Sequence, residues 1–345
     1  MQCREREFGR LADGRSVRLF SFECGEGMQV EITNYGGIIT SVRMSDKNGM
    51  FDELCCGFPD LSNYLKPHPY FGALVGRYAG RIGGGRLPVG DEVYQLQLHD
   101  SYCHLHGGDT GFHTRLWSAL LESDDTKAVL KLAYMSPHLE ENYPGNLHVT
   151  ATYTIFDNNQ IDLCFEAETD RPTHLNLTNH AYFNLNGFRS SVGDHWLKVD
   201  AEQVVELNEA MLPTGMLKPV KGSIFDFSEL TLLSSRLVPQ THELDHCFVL
   251  NDCKKDSPAV ELFHNETGRS LKVYTDQPGV QVYSGNFLDG SLTGNDSKTY
   301  HKHGAICFET QHFADSPNQP SFPPTLLQPG QKFRASTTYL FEVRS

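Results

Sequence analysis

Long apolar runs are missing from this 345-residue chain. No stretch approaches the roughly 18 uninterrupted apolar residues that a membrane helix needs. Basic clusters are missing as well: Lys and Arg are scattered, and the net charge is −14. That balance argues against nucleic acid or an anionic membrane as partner. Nine cysteines occur without a C-x-x-C pair, and Cys55 and Cys56 are adjacent. Buried thiols in a reducing compartment are expected, not a disulfide framework. The opening residues, MQCREREFGRLADGRS, hold no apolar stretch of the kind a secretion signal carries. The expectation is a cytoplasmic protein. No linker, repeat or low-complexity tract marks a boundary, so residues 1–345 are expected to form a single domain. A long amphipathic helix is absent too; YLKPHPYFG holds at most a turn, because Pro67 and Pro69 interrupt it.

The period that is present is two. VRLFSF, MQVEITNYGGIITSVRM, AVLKLAYM, LHVTATYTIF, QIDLCFEAE, LKVYTD, GVQVYSGNF and TTYLFEV read as strands rich in Val, Ile, Tyr, Phe and Thr. FDNNQ, DKNG, GGG, TGMLKPVKG and FLDGSLTGNDS punctuate them as turns. Hydrophobic residues at 39% and charged residues at 21% suit a globular core. Many strands with short turns and no alternating helices predict an all-β, antiparallel sandwich or barrel.

NLTNHAYFNLNG, residues 176–187, is dense in hydrogen-bonding side chains. As one strand it puts Leu175, Leu177, Asn179, Ala181, Phe183 and Leu185 on one face. His174, Asn176, Thr178, His180, Tyr182 and Asn184 fall on the other. The first face suits a core. The second is either an exposed polar face or the floor of a cleft for a neutral, hydroxyl-rich ligand.

Other residues carry chemistry in weaker settings. In LHGGDTGFH, His106 precedes two glycines, which allow a tight turn or a close backbone approach to a ligand. His104 and His106 form an H-x-H pair that is structural or half of a metal site, with no third ligand at a telling spacing. AICFETQ places Ala305, Cys307 and Glu309 on one strand face. Glu309 either meets water at a strand end or sits partly buried with a raised pKa, as a general base needs. VGRYAGRIGGG carries Arg77 and Arg81 but lacks the GK[ST] ending of a phosphate-binding loop. Asp245 in LDHCF and Gln281 in GVQVYSGNF are good partners for sugar hydroxyls.

These pieces, in this order and from end to end, resemble the aldose 1-epimerase (galactose mutarotase) family. The resemblance runs through NYGGIITSV, YFGALVGRYAGRI, LHGGDTGF, NLTNHAYFNLNG, LPTG, LDHCF, QPGVQVYSGNFLDG, FETQ and FPPTLLQPG. It implies the family's supersandwich fold, one antiparallel β-sandwich of many strands with the sugar in an open cleft. It implies an isomerase that interconverts the α- and β-anomers of hexoses, D-galactose and D-glucose foremost. By the same likeness Glu309 is the general base, His180 the general acid and His106 the second active-site histidine. Arg81, Asp245 and Gln281 match positions that hold sugar hydroxyls, with Ala181 and Tyr182 flanking the substrate beside His180. The family commonly has Asn before the arginine; here that position is Gly80, and a hydrogen bond to the sugar is expected to be missing there.

Anomer exchange opens a hemiacetal: the C1 hydroxyl loses a proton while the ring oxygen gains one. A carboxylate and an imidazolium can do both in concert. No metal, nucleotide or other cofactor is expected, since no redox or phosphoryl step occurs. The expected partner is a small aldohexose, with the chain a monomer or weak homodimer. Three rivals make different demands. A non-catalytic sugar-binding module does not need Glu309 and His180 together, a glycoside hydrolase needs two carboxylates across the bond, and a hexose 6-phosphate epimerase needs a cationic pocket.

Overall fold

The protein, a computed structural model, is described over residues 1–237, 243–251 and 257–344. Its architecture is almost entirely antiparallel β-structure. One sheet has nine strands, in the order Ser118–Ser123, Lys127–Ser136, Leu147–Phe156, Gln160–Thr169, Phe333–Val343, Arg269–Thr275, Val260–Phe263, Trp196–Val199 and Thr231–Leu232. A second has six: Tyr182–Phe183, Ile306–Gln311, Gly279–Tyr283, Asp245–Leu250, Ala201–Leu207 and Pro213–Pro219. The third has five consecutive strands, from Gln2–Arg10 to Phe51–Glu53. The one α-helix among the described residues is the four-residue turn Leu61–Tyr64, ahead of the two prolines.

Alternation of side chains builds the core. In Leu147–Phe156 every second residue is buried, and Val149, Ala151, Tyr153 and Ile155 face inward. One hydrophobic cluster takes Phe20, Val30 and Ile32 from the five-stranded sheet, Leu130, Leu163 and Leu271 from the nine-stranded sheet, and Phe248, Val282 and Phe308 from the six-stranded sheet. The apolar faces of the sheets therefore meet in one interior, as a sandwich requires. All eight described cysteines are unpaired, and six are buried. Cys253, the ninth, lies outside the described residues.

Ile306–Gln311 is buried along its whole length. Its even-numbered residues face the core: Ile306 and Phe308 join the cluster, and the Thr310 hydroxyl reaches that of Thr337 on the nine-stranded sheet at 2.5 Å. Cys307, Glu309 and Gln311 must then point to the opposite face. Ladder register sets Gln281 opposite Glu309, Cys247 opposite Gln281, and Tyr182 and Tyr283 opposite Cys307. One face of the six-stranded sheet thus collects the residues of a single site.

The stretch His174–Gly187 departs from the expected continuous strand. It forms the short pairings Thr173–His174, Thr178–Asn179 and Tyr182–Phe183, each to a different strand, with isolated bridges from Asn176 to Tyr78 and from Phe183 to Cys55. The asparagines interrupt it. Asn179 Oδ1 accepts from the Ala181 N–H, and Asn184 Oδ1 accepts from the Asn186 N–H, local turns that compete with a ladder. The polar face is not a ligand floor along its length either. The Asn176 side chain donates to the Ala79 and His312 carbonyls and accepts from the His312 N–H. The Asn184 amide donates to Ser190 and Gly304. These side chains tie loops together, which leaves His180 and Tyr182 to face the cleft.

Candidate active site

The cleft over the six-stranded sheet encloses about 850 Å³ of empty space, part of it open to solvent. Gly80, Arg81, His106, His180, Tyr182, Asp245, Gln281 and Glu309 all line it. Residues scattered over 230 positions of sequence therefore converge. Ala181 does not: it is buried in the hydrophobic core and is not among the residues that line the cleft.

His180 Nε2 lies 3.5 Å from Glu309 Oε1, with both residues buried. Burial pushes the Glu309 carboxyl well above the usual carboxylate range; the nearby Asp245 charge adds to this, and Arg81 opposes it. Burial also pulls the His180 imidazole down to about 3. The pair therefore favours its uncharged form in the free protein. His180 Nδ1 and Glu309 Oε2 have no hydrogen-bond partner in the protein, so this pair has unused capacity.

Aromatic rings hold His180 in place. Tyr70 and Tyr182 stack on it nearly parallel, at 5.8 and 5.0 Å between ring centroids. Tyr70 also packs on His106 at 4.8 Å. Tyr70 was not foreseen, because nothing in HPYFG distinguishes it from a core tyrosine. Tyr283 and Gln311 were legible in principle, since strand alternation puts them on the faces of Gln281 and Glu309.

His106 and Gly80 bond reciprocally. The His106 N–H donates to the Gly80 carbonyl at 3.1 Å, and the Gly80 N–H donates to His106 Nδ1 at 3.3 Å. An Nδ1 that accepts leaves the ring proton on Nε2 as a donor. Burial keeps this histidine neutral by pulling its pKa well below the ordinary value. Gly80 has φ +81°, in the region that favours glycine.

Across the cleft, Asp245 accepts from Gln281 Nε2 at 2.6 Å and lies 3.7 Å from the Arg81 guanidinium. Arg81 is the one arginine or lysine among the cleft-lining residues, and it is paired. That does not suit a phosphate group. Arg77 instead turns inward and donates to Ser136, Pro137 and Pro144 without an acidic partner in hydrogen-bond contact. His104 does not pair with His106: its Nδ1 meets the Gln97 carbonyl at 2.7 Å and its Nε2 the Tyr143 hydroxyl at 2.8 Å. Both are structural.

The chain has relatives along nearly its whole length. The family model described as aldose 1-epimerase matches residues 18–340. Mouse galactose mutarotase is 39% identical over 339 residues, covering 97% of each chain. The Escherichia coli aldose 1-epimerase is 32% identical, over 95% of this chain and 96% of its own. The crystal structure of galactose 1-epimerase from Lactobacillus acidophilus superposes with a TM-score of 0.87 at 28% identity, covering 100% of this chain and 99% of that one. The protein belongs to the aldose 1-epimerase family, enzymes of the carbohydrate epimerase type.

Proposed function

We propose that this enzyme interconverts the α- and β-anomers of aldohexoses, D-galactose and D-glucose foremost, with Glu309 as general base and His180 as general acid. The observation that carries the reading is the buried carboxylate–imidazole pair, 3.5 Å apart at the wall of an open cleft.

The pair holds one mobile proton. With the proton on His180, Glu309 takes the proton from the C1 hydroxyl while His180 gives one to the ring oxygen. The C1–O5 bond breaks and an open aldehyde forms. Rotation about C1–C2 presents the other carbonyl face, and the ring closes with the two roles reversed. Sugar hydroxyls entering the cleft supply hydrogen bonds that its buried groups lack, which favours the charged form over the neutral one. His106, through its Nε2 proton, polarises an oxygen near C1 and O5, and Arg81, Asp245 and Gln281 hold the ring. Each acid or base is worth about 10²- to 10⁴-fold.

The same reading takes 1–345 as one domain acting as a monomer or weak homodimer in the cytoplasm. The shared core of the three sheets, the unpaired thiols and the net charge of −14 support it. The test is polarimetry of freshly dissolved α-D-galactose with wild type, Glu309→Gln and no enzyme. Acceleration by wild type alone, to an unchanged final rotation, is expected. Equal rates in all three would refute it.

A further inference from the structure

Gly80 adds no side chain to the cleft wall, and the space before it is already taken. A Cβ built there would lie 2.9 Å from the Ala314 Cβ and 3.5 Å from Gln311 Nε2. Gln311 closes the Ile306–Gln311 strand, two residues beyond Glu309 and on the same face. Both side chains line the cleft.

Gln311 is 1% exposed, and its Oε1 is buried without a hydrogen-bond partner. The contrast with its neighbours is informative. Gln281, the other glutamine of the cleft wall, is committed to Asp245. Asn176, a buried amide nearby in the fold, is committed to Ala79 and His312 through three bonds. Native folds rarely leave a buried amide atom unsatisfied without a reason. Half a turn of the amide exchanges its oxygen and nitrogen. A sugar hydroxyl both donates and accepts, so it can satisfy the amide in either orientation.

We propose that Gln311 is a substrate-binding residue that holds one ring hydroxyl of the sugar, at the section of wall where Gly80 has no side chain to offer. This rests on the cleft being the sugar site. It locates a specificity contact that neither Arg81, Asp245 nor Gln281 provides.

The test compares wild type and Gln311→Met on galactose and on its 2-, 3-, 4- and 6-deoxy analogues, with melting curves for both proteins. The substitution should raise KM for galactose roughly 5- to 10-fold, the worth of one hydrogen bond, and by more than it lowers kcat. One deoxy analogue should bind wild type poorly yet lose nothing further in the variant. The unliganded variant should melt at or above the wild-type temperature, because an unsatisfied amide has been removed. A lower melting temperature with KM unmoved, or penalties that simply add for every analogue, would overturn the proposal. If Gln311→Met does not fold, Gln311→Asn, which keeps the amide but withdraws it, is read by the same criteria. If wild type accelerates no mutarotation, the proposed reaction fails separately. The binding role is then decided by the galactose-induced melting shift: a shift lost on substitution supports it, and an equal shift in both proteins overturns it.

Discussion

His180 Nε2 faces Glu309 Oε1 across 3.5 Å, and both groups are more than nine-tenths buried. Two titratable groups so close and so dry share protons as a unit.

Removing either partner should damage turnover more than binding. Glu309→Gln and His180→Gln are each expected to lower kcat by about 10²- to 10⁴-fold with a much smaller change in KM. Their combination should cost little more than the worse single substitution, because the two act in one concerted step. A change confined to KM in Glu309→Gln would remove it from the base role.

Activity should be flat across neutral pH. The pair holds one proton between the low pKa of His180, about 3, and the raised pKa of Glu309. The reactive form differs from the resting one only in where that proton sits, so its fraction does not vary inside the window. A lone imidazolium acid would instead lose activity above about pH 6.5. The basic limb of kcat/KM reports loss of the shared proton. Asp245→Asn removes a charge that raises the Glu309 pKa, so the limb should move to lower pH. Arg81→Gln removes an opposing charge and should move it higher. Shifts in the reverse directions would contradict the electrostatic account.

Burial of Glu309 should also appear in stability. Its folded pKa is raised, so above the unfolded value of about 4.3 the unfolded chain releases a proton that the folded chain keeps. Stability contributed by the protonated form is full at low pH and is lost as pH rises towards the folded pKa. Glu309→Gln cannot ionise. It should melt above wild type at pH 8, with the difference shrinking as pH falls towards 4. A constant offset across that range would exclude this origin.

Asn176 should matter to the fold and not directly to the chemistry. Asn176→Ala leaves the Ala79 and His312 carbonyls and the His312 N–H without their side-chain partner. The expected loss is about 2–4 kcal/mol, from unsatisfied buried groups. Chemical denaturation measures it; kcat well below the melting transition should fall far less than in His180→Gln. A loss under roughly 0.5 kcal/mol, the spread of surface substitutions, would mean the bonds are replaced by water.

How much of this was legible beforehand differs by element. The all-β class was, because Val, Ile, Tyr, Phe and Thr alternate along LHVTATYTIF and QIDLCFEAE in a way only a half-buried strand needs. The motif resemblance identified Gly80, Arg81, His106, His180, Tyr182, Asp245, Gln281 and Glu309 of the cleft wall; it did not single out Tyr70, Tyr283 or Gln311, and it added Ala181, which packs in the core. Period-two reading failed at NLTNHAYFNLNG because asparagine side chains there make backbone-like bonds, and a pattern of residue types cannot say where those bonds go.

What the sequence alone determined is the alternation, most of the turn positions and the chemical inventory, since each depends on near neighbours in the chain; TGMLKPVKG, expected as a turn, is instead mostly the edge strand Pro213–Pro219. Only the tertiary structure decided that Glu309 and His180 meet, that Arg77 is buried while Arg81 reaches the cleft, and that Gln311 lacks a partner. Those facts depend on ladder register and on packing between segments up to 230 residues apart. Burial, which tunes the protons of His106, His180 and Glu309, is a property of that packing and not of any single residue.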